Sequence, residues 1–136
     1  MGHLAEANGT LWEALNATMI GDDTARVWAV PTHVYGIHYG DTVGVVASAE
    51  GPQVITKVIA RGGYTTFRVW LGDECARTWK KLTETYAQRG CLVDVWSERL
   101  VALACADELS RDIRNHLERD AGELSFEWEM GSLGEK

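Results

Sequence analysis

The spacing of hydrophobic residues changes once along this chain, near residue 73, and this change constrains the fold most. Before it, short segments rich in Val, Thr and aromatic residues alternate with glycine-marked turns, a pattern typical of antiparallel strands. After it, hydrophobic residues recur every three or four positions in two segments, as on one face of a helix. The 136 residues suit one domain, so we expect a single α+β domain over 1–136.

The half spanning residues 11–71 is expected to be rich in β-structure. Thr32–Asp41, which carries several glycines and aromatic residues, is predicted to form an ordered loop or a bent strand. Gly62-Gly63 predicts a hairpin turn. The strands expected here form a small antiparallel curled sheet or a partial barrel, and they are Leu11–Met19, Ala25–Val30, Thr42–Ser48, Gln53–Ala60 and Tyr64–Leu71.

Residues 64–130 follow the order β-α-β-β-α-β, which predicts a ferredoxin-like sheet with two helices on one face. Asp73 is expected to cap the first helix, which carries Cys75 on its buried face, and Gly90 is expected to end it. Asp107 and Gly122 should bound the second helix. The strands that complete this part are Leu92–Trp96, Leu100–Cys105 and an alternating segment from Leu124 to Met130 with a solvent-facing side, followed by a frayed tail from Gly131.

Acidic residues outnumber basic ones by 20 to 13, a net charge of −7. Nucleic-acid binders normally carry a basic surface, so this balance argues against DNA or RNA as a partner. It also argues against an anionic membrane surface, and no apolar stretch approaches the ~20 residues of a membrane span. A basic protein is compatible with the charge. Acidic residues of the second helix and the last strand could help to dock one.

The three cysteines, Cys75, Cys91 and Cys105, have wide spacings and form no C-x-x-C motif. They are interpreted as inert core thiols in a reducing compartment. No secretory leader is visible at the N-terminus, and the cytoplasm is the expected location. No cofactor is indicated.

Seven residues of the loop and the hairpin are the candidates for a ligand site. Arginine forks suit a carboxylate or phosphate, and a site would need a concave pocket where the loop meets the hairpin. The seven are His33, Tyr35, His38, Asp41, Tyr64, Thr66 and Arg68.

Each of these residues also has a simpler structural interpretation. His33 and His38 are five residues apart, so they make a poor metal pair, and no metal site is expected. One should lie in the loop and the other should be packed. Asp41 is most simply a turn residue that binds local backbone. Arg68, between Phe67 and Val69, is most simply on the solvent face of its strand.

Six tryptophans are many for this length. Those on apolar faces fill the core. Trp96 shares a strand face with Asp94 and is expected to be partly exposed. An exposed tryptophan beside Tyr35 or Tyr39 would indicate a recognition surface.

Several segments together resemble a bacterial family catalogued as domain of unknown function number 4265. They are Leu11–Ala14, the run Val30-Pro31-Thr32-His33-Val34-Tyr35-Gly36-Ile37-His38-Tyr39-Gly40-Asp41-Thr42-Val43, and Arg61–Val69. The resemblance covers most of residues 11–130. Thr32 follows Pro31 where the family prefers an aromatic residue, and Gly62-Gly63-Tyr64 replaces a Ser-Gly-His. A histidine at that hairpin is therefore absent from this chain, and the resemblance implies no activity.

Two classes of function are compatible with these patterns. No nucleophile elbow, P-loop, dinucleotide fingerprint or zinc-protease motif occurs, so the first is a small non-catalytic interaction module with a basic partner. An immunity-type role that neutralises a basic toxin is one version of it. The alternative is a small-molecule-binding protein or minor enzyme whose site lies between the 32–41 loop and the 61–68 hairpin. A third interpretation gives both motifs a purely structural role.

Overall fold

The computed structural model describes residues 2–7, 11–47, 49, 51, 53–72 and 78–130. Nine strands and two helices of the described chain define the fold, and a 3-10 turn at Asp107–Leu109 precedes the second helix. The elements are β1 (Gly2–Ala7), β2 (Leu11–Met19), β3 (Thr24–Val27), β4 (Thr42–Ala47), β5 (Gln53–Ala60), β6 (Tyr64–Trp70), α1 (Trp79–Gln88), β7 (Leu92–Ser97), β8 (Leu100–Ala106), α2 (Ser110–Leu124) and β9 (Glu127–Met130).

The first five strands close into a barrel. Neighbours along the chain pair antiparallel, whereas β1 and β5 pair in parallel and complete the circle. The sequence predicts a curled sheet or a partial barrel, but it does not predict β1, the strand that closes the barrel. Tyr64–Leu71, predicted as a strand of this sheet as well, pairs instead with β8 and β9 in the second sheet. The interior holds small and branched side chains, which suit a barrel of only five strands. They are Leu15, Ala25, Val27, Val43 and Val45, joined by Val34 and Ile37 from the segment after β3.

The second sheet has the strand order β7-β8-β6-β9, with every neighbouring pair antiparallel. Both helices cover one face of it, because alternate residues of β6 and β8 are large and apolar and must be buried. The side chains between the sheet and the helices form one continuous core, which consists of Phe67, Val69, Leu71, Leu82, Tyr86, Cys91, Val101, Leu103, Cys105, Ile113, Leu117 and Phe126.

The segment between β3 and β4, residues 28–41, covers the other face of this sheet. Val30 packs on Ala102 and Ala104 of β8, together with Tyr39 and Tyr64. Alanines on this face of β8 let the backbone of the segment approach the sheet closely. The segment therefore lies between the barrel and the sheet, and we call it the junction segment.

Several predicted boundaries need correction. β3 ends at Val27 rather than Val30, because the chain leaves the barrel there to reach the sheet. Contrary to the prediction from the sequence, the side chain of Asp107 does not cap the second helix. Its carboxylate instead accepts a hydrogen bond of 2.6 Å from the hydroxyl of Thr65. The second helix passes Gly122 and ends at Leu124, and the next residue, Ser125, adopts the left-handed conformation at φ 58°.

Other predicted features are confirmed or lie beyond the described part. Gly90 follows α1 with a left-handed φ of 99°, as expected for a helix end. The predictions for Ser48, Asp73, Cys75 and the tail from Gly131 lie outside the described residues. Among the helices described, none is long and apolar enough to cross a bilayer.

Candidate functional site

Asp41 joins the junction segment to the hairpin between β5 and β6. Its buried carboxylate accepts the backbone N–H of Gly62 at 2.8 Å and that of His38 at 2.9 Å. Nη1 of Arg61 lies 3.1 Å from the same group. The turn role predicted for Asp41 is confirmed, and the same carboxylate also bridges the two glycine-marked bends.

Glycine is required where these bends touch. A Cβ atom built on Gly62 would lie 2.2 Å from the carbonyl carbon and oxygen of Gly40, well inside van der Waals contact. Gly40 itself has a φ of +83°, a conformation that L side chains rarely adopt. The main chains of the two bends are therefore in direct contact.

His38 is the packed histidine of the predicted pair. It is buried, and its Nδ1 is 2.7 Å from Oγ1 of Thr66, which is also buried. A hydrogen bond at this depth is costly to leave unmade. His38 and Thr66 thus attach the junction segment to β6.

Arg68 does not occupy the solvent face of its strand; only 1% of it is exposed. The junction segment covers this face, and its carbonyl groups point at the guanidinium. Nε donates to the carbonyl of Thr32 at 2.8 Å, and Nη2 donates to the carbonyl of Val34. Burial lowers the pKa of Arg68, and this effect opposes the electrostatic influence of Tyr35, Glu129 and Glu13, which raises it.

Glu13, on β2, binds the same part of the junction segment from the barrel. Its two carboxylate oxygens accept the backbone N–H groups of Thr32, His33 and Val34 at 2.9 to 3.0 Å, and the hydroxyl of Thr32 at 2.8 Å. The sequence analysis did not single out Glu13 as a site residue. It stands alone in an alternating strand, and no motif marks an acid whose partners are backbone groups.

Tyr35 is partly exposed, at 39%, and the Arg68 guanidinium lies 4.6 Å from its ring centroid. A hydrogen bond with Glu129 raises the pKa of Tyr35, and burial adds to the rise. Glu129 was predicted on the solvent-facing side of the last strand. Instead its Oε2 is buried 3.9 Å from Nη1 of Arg68.

Tyr64 belongs to a row of aromatic rings. Its ring centroid is 5.0 Å from that of Tyr39, which in turn is 5.5 Å from that of Trp28. Trp28 is 42% exposed, and Arg26 covers one face of its ring at 5.0 Å. An exposed tryptophan therefore does lie beside Tyr39, the arrangement that the sequence analysis associated with recognition.

His33 and Trp96 form a second aromatic contact, with ring centroids 4.6 Å apart in an edge-to-face arrangement. Nδ1 of His33 is 2.9 Å from Oγ1 of Thr32. Trp96 is 62% exposed, which confirms its predicted exposure. Nearby on β7, burial raises the pKa of Asp94, and the charge of Glu13 raises it further.

The polar residues of the predicted site are brought together, but mostly to bind one another or the backbone. His38, Asp41, Thr66 and Arg68 are buried. In the part of the chain that is described, no three His, Cys, Asp or Glu residues form a group that could hold a metal ion. A shallow groove of about 320 Å³ beside the junction segment has other walls: Asn16, Trp28, Ala29, Val30, Tyr39, Leu92, Val93 and Asp94.

Comparison with known proteins assigns the family. The sequence profile of a family described as a domain of unknown function, DUF4265, matches residues 13–128. The chain belongs to this family, and its resemblance to the family is confirmed. No curated protein matches the sequence significantly.

The fold is shared with a solved structure of a hypothetical protein from Neisseria gonorrhoeae. The similarity covers 100% of this chain and 98% of that chain, with a TM-score of 0.76 and 14% sequence identity. At this identity the comparison shows a shared fold and carries no function with it.

Proposed function

We propose that this protein is a non-catalytic binding module that recognises a basic protein partner at the junction segment. The observation that carries the proposal is a contrast between buried polar residues and exposed aromatic residues at this segment. The buried polar residues immobilise the segment, whereas Trp28, Tyr35 and Trp96 remain substantially exposed around it. We call these three the junction aromatics. Tryptophan and tyrosine are enriched among residues that dominate binding energy.

Rigidity of the segment supports the same proposal. Glu13 binds the N–H groups of residues 32–34, and Arg68 binds the C=O groups of Thr32 and Val34. A surface that is already ordered loses less conformational entropy on binding. The net charge of −7 would speed association with a basic partner and disfavour acidic ones.

A small-molecule site built from the seven predicted residues has weaker support. Their proximity favours it, but four of them are buried and already hydrogen-bonded within the protein. A ligand would have to displace those bonds. An exposed aromatic surface needs no such rearrangement to bind a protein.

Two structural proposals accompany the functional one. We propose that β6 to β9 and the two helices form a ferredoxin-like unit, supported by their strand order and antiparallel pairing. We also propose that the chain is one domain, supported by the contacts of Asp41 and Arg68 across the junction. The buried free thiols of Cys91 and Cys105 support a reducing location, the cytoplasm.

The test is affinity capture from a lysate of the source cells, with the retained proteins identified by mass spectrometry. We expect the wild type to retain a specific basic protein. The double variant Trp28→Ala/Tyr35→Ala should retain at least tenfold less of that protein. Leu124→Ala is the matched control, because Leu124 is 41% exposed on α2, across the sheet from the junction segment. Failure to retain any specific basic protein, or equal loss with the control, would contradict the proposal.

A further inference from the structure

We propose that β7 is where the partner binds, and that the partner adds an extended, basic segment as a further strand on the outer edge of β7. This inference rests on the proposed function and gives it a place and a binding mode. Strand addition of this kind obtains affinity from main-chain hydrogen bonds and specificity from alternate side chains.

β7 is the terminal strand of its sheet. It pairs with β8 on one side, and no other strand of the described residues pairs with its outer side. Such an edge leaves a row of N–H and C=O groups available to another chain, and proteins usually protect it with Lys, Pro or a short strand. β7 has six residues and contains neither Lys nor Pro, whereas β9 at the opposite edge has only four residues. The first five strands close on themselves.

The side chains of β7 match an edge that receives a partner. Leu92, Val95 and Trp96 are exposed apolar residues on a strand of six. The register of β7 on β8 shifts between Val95 and Ser97, so the irregularity lies at the C-terminal end. The regular part, Leu92–Val95, is the part available for continuous pairing.

A groove runs beside this regular part. One wall is formed by Leu92, Val93 and Asp94 of β7, and the other includes Asn16 and the exposed Trp28. A strand paired with β7 would lie along this groove, with its main chain towards β7 and its side chains directed alternately to the two faces of the sheet. Leu92 and Asp94 share one face of β7, and Val93 and Val95 share the other. Basic partner residues would therefore lie beside Asp94, and the apolar residues between them would lie beside Val93 and Val95.

Charge decides which kind of strand fits. Asp94 lies on the exposed part of β7, and partial desolvation, followed by the charge of Glu13, raises the pKa of its carboxyl group. A lysine or arginine of the incoming strand would relieve that repulsion, and Trp96 offers an aromatic face for the same cation. A second copy of this chain is disfavoured, because each copy carries a net charge of −7 and would bring its own Asp94 to the contact.

The experiment uses the full chain and three synthetic decapeptides at physiological salt. One alternates Lys and Val, the second alternates Glu and Val, and the third is the Lys-Val peptide with its two central valines replaced by Pro. We expect the Lys-Val peptide alone to bind appreciably, at least tenfold more tightly than the other two. Amide exchange in residues 92–95 should slow at least tenfold at alternate positions, because only outward-facing N–H groups gain partners.

Each contrary result has a defined meaning. Equal binding by the Pro-containing peptide would show that charge alone attracts it, and unchanged exchange in β7 would also overturn strand addition. Self-association of the protein with protection of β7 would assign the edge to a second copy. Asp94→Asn should weaken binding of the Lys-Val peptide several-fold, whereas Asp112→Asn, an exposed carboxylate on α2, should not.

The two proposals fail in different ways. If the lysate partner is captured and lost with the junction aromatics while β7 exchange is unchanged by that partner, strand addition is wrong and the binding function stands. If no basic protein is captured, the binding function itself is wrong, whatever the decapeptides do.

Discussion

Glu13 and Arg68 bind opposite polar edges of the same three-residue backbone. Glu13, from the barrel, accepts the N–H groups of residues 32–34, and Arg68, from the sheet, donates to the carbonyls of Thr32 and Val34. Arg68 also experiences the charge of Glu13, which raises its pKa. The two opposite charges therefore do not touch each other but bind the same peptide groups from two sides. In this way they connect the barrel to the second sheet.

Arg68→Met should destabilise the protein by about 3 kcal/mol, because it leaves buried carbonyl groups without a donor and the Glu129 carboxylate without its neighbouring positive charge. Glu13→Gln should cost roughly 1.5–3 kcal/mol, since hydrogen bonds to a charged acceptor are lost. In the double variant the two costs should differ from additivity by more than about 0.5 kcal/mol. Urea denaturation measures all three, with Arg111→Met on the exposed face of α2 as a control. Strict additivity would contradict a shared role.

Gly62→Ala should destabilise the protein by about 1–3 kcal/mol, the usual cost of overpacking, because the added methyl group would overlap the backbone of Gly40. Gly72→Ala is the matched control. A Cβ atom there meets no atom of the described residues within 4 Å, and the free energy of unfolding should stay within about 0.5 kcal/mol of the wild type. Thermal unfolding of both variants makes the comparison, and an unchanged Tm for Gly62→Ala would refute the close contact.

Thr66→Val keeps the shape of the side chain and removes the hydroxyl that bonds to His38. Because both residues are buried, the loss should cost about 1–3 kcal/mol. Thr83→Val makes the same exchange at a solvent-exposed hydroxyl that bonds to the carbonyl of Lys80, and it should change stability by no more than about 0.5 kcal/mol. Similar costs for the two variants would mean that the bond to His38 contributes little.

Asp120 should stabilise the fold at neutral pH. Burial would raise its pKa, but hydrogen bonds from Tyr86 and Arg89 outweigh that effect, and the net pKa is lowered from 3.8. A depressed folded-state pKa gives stability above the unfolded value that is lost as pH falls through the folded value. Asp120→Asn should therefore be less stable by roughly 1.5 kcal/mol at pH 7, with a smaller difference at each step below pH 4. A constant difference across the acid range would contradict this account.

Ionisation of Asp94 should have the opposite effect on the free energy of unfolding. Its pKa is raised above 3.8 by burial and by Glu13, so the folded state holds this proton more tightly than the unfolded state. Stability then falls as pH rises from the unfolded to the folded value. Asp94→Asn should be slightly more stable than the wild type at pH 7 and no different below about pH 3.5. Denaturation at both pH values checks the sign, and destabilisation at pH 7 would exclude carboxylate crowding.

Most of the second sheet could be predicted from the sequence because its signals are local. The Gly62-Gly63 turn marked the start of β6, the recurrence of hydrophobic residues every three or four positions marked the two helices, and Gly90 marked a helix end. β1 could not be predicted in this way. Its pairing with β5 joins residues about 50 positions apart in parallel, and short-range alternation contains no information about such a partner.

In the candidate site, too, the residues that could be predicted are those with local sequence signals. Asp41 and the Gly62-Gly63 hairpin follow from turn chemistry, and His38 follows as the packed member of a histidine pair. Arg68 is buried because the junction segment covers its face of the sheet. Hydrophobic periodicity does not reveal which segment covers a given face. Glu13 was missed because its partners are main-chain groups, and these have no sequence signature.

The anchors of the junction segment also constrain the order of folding. Glu13 lies 19 to 21 residues from its partners, and Arg68 lies 34 to 36 residues from its own. Closing such long intervals costs entropy before the bonds can form. The segment should therefore dock late, once β2 and β6 are already in place. Cutting the chain at the hairpin would separate Arg68 from residues 32–34, whereas Glu13 would stay on the same fragment as its backbone partners.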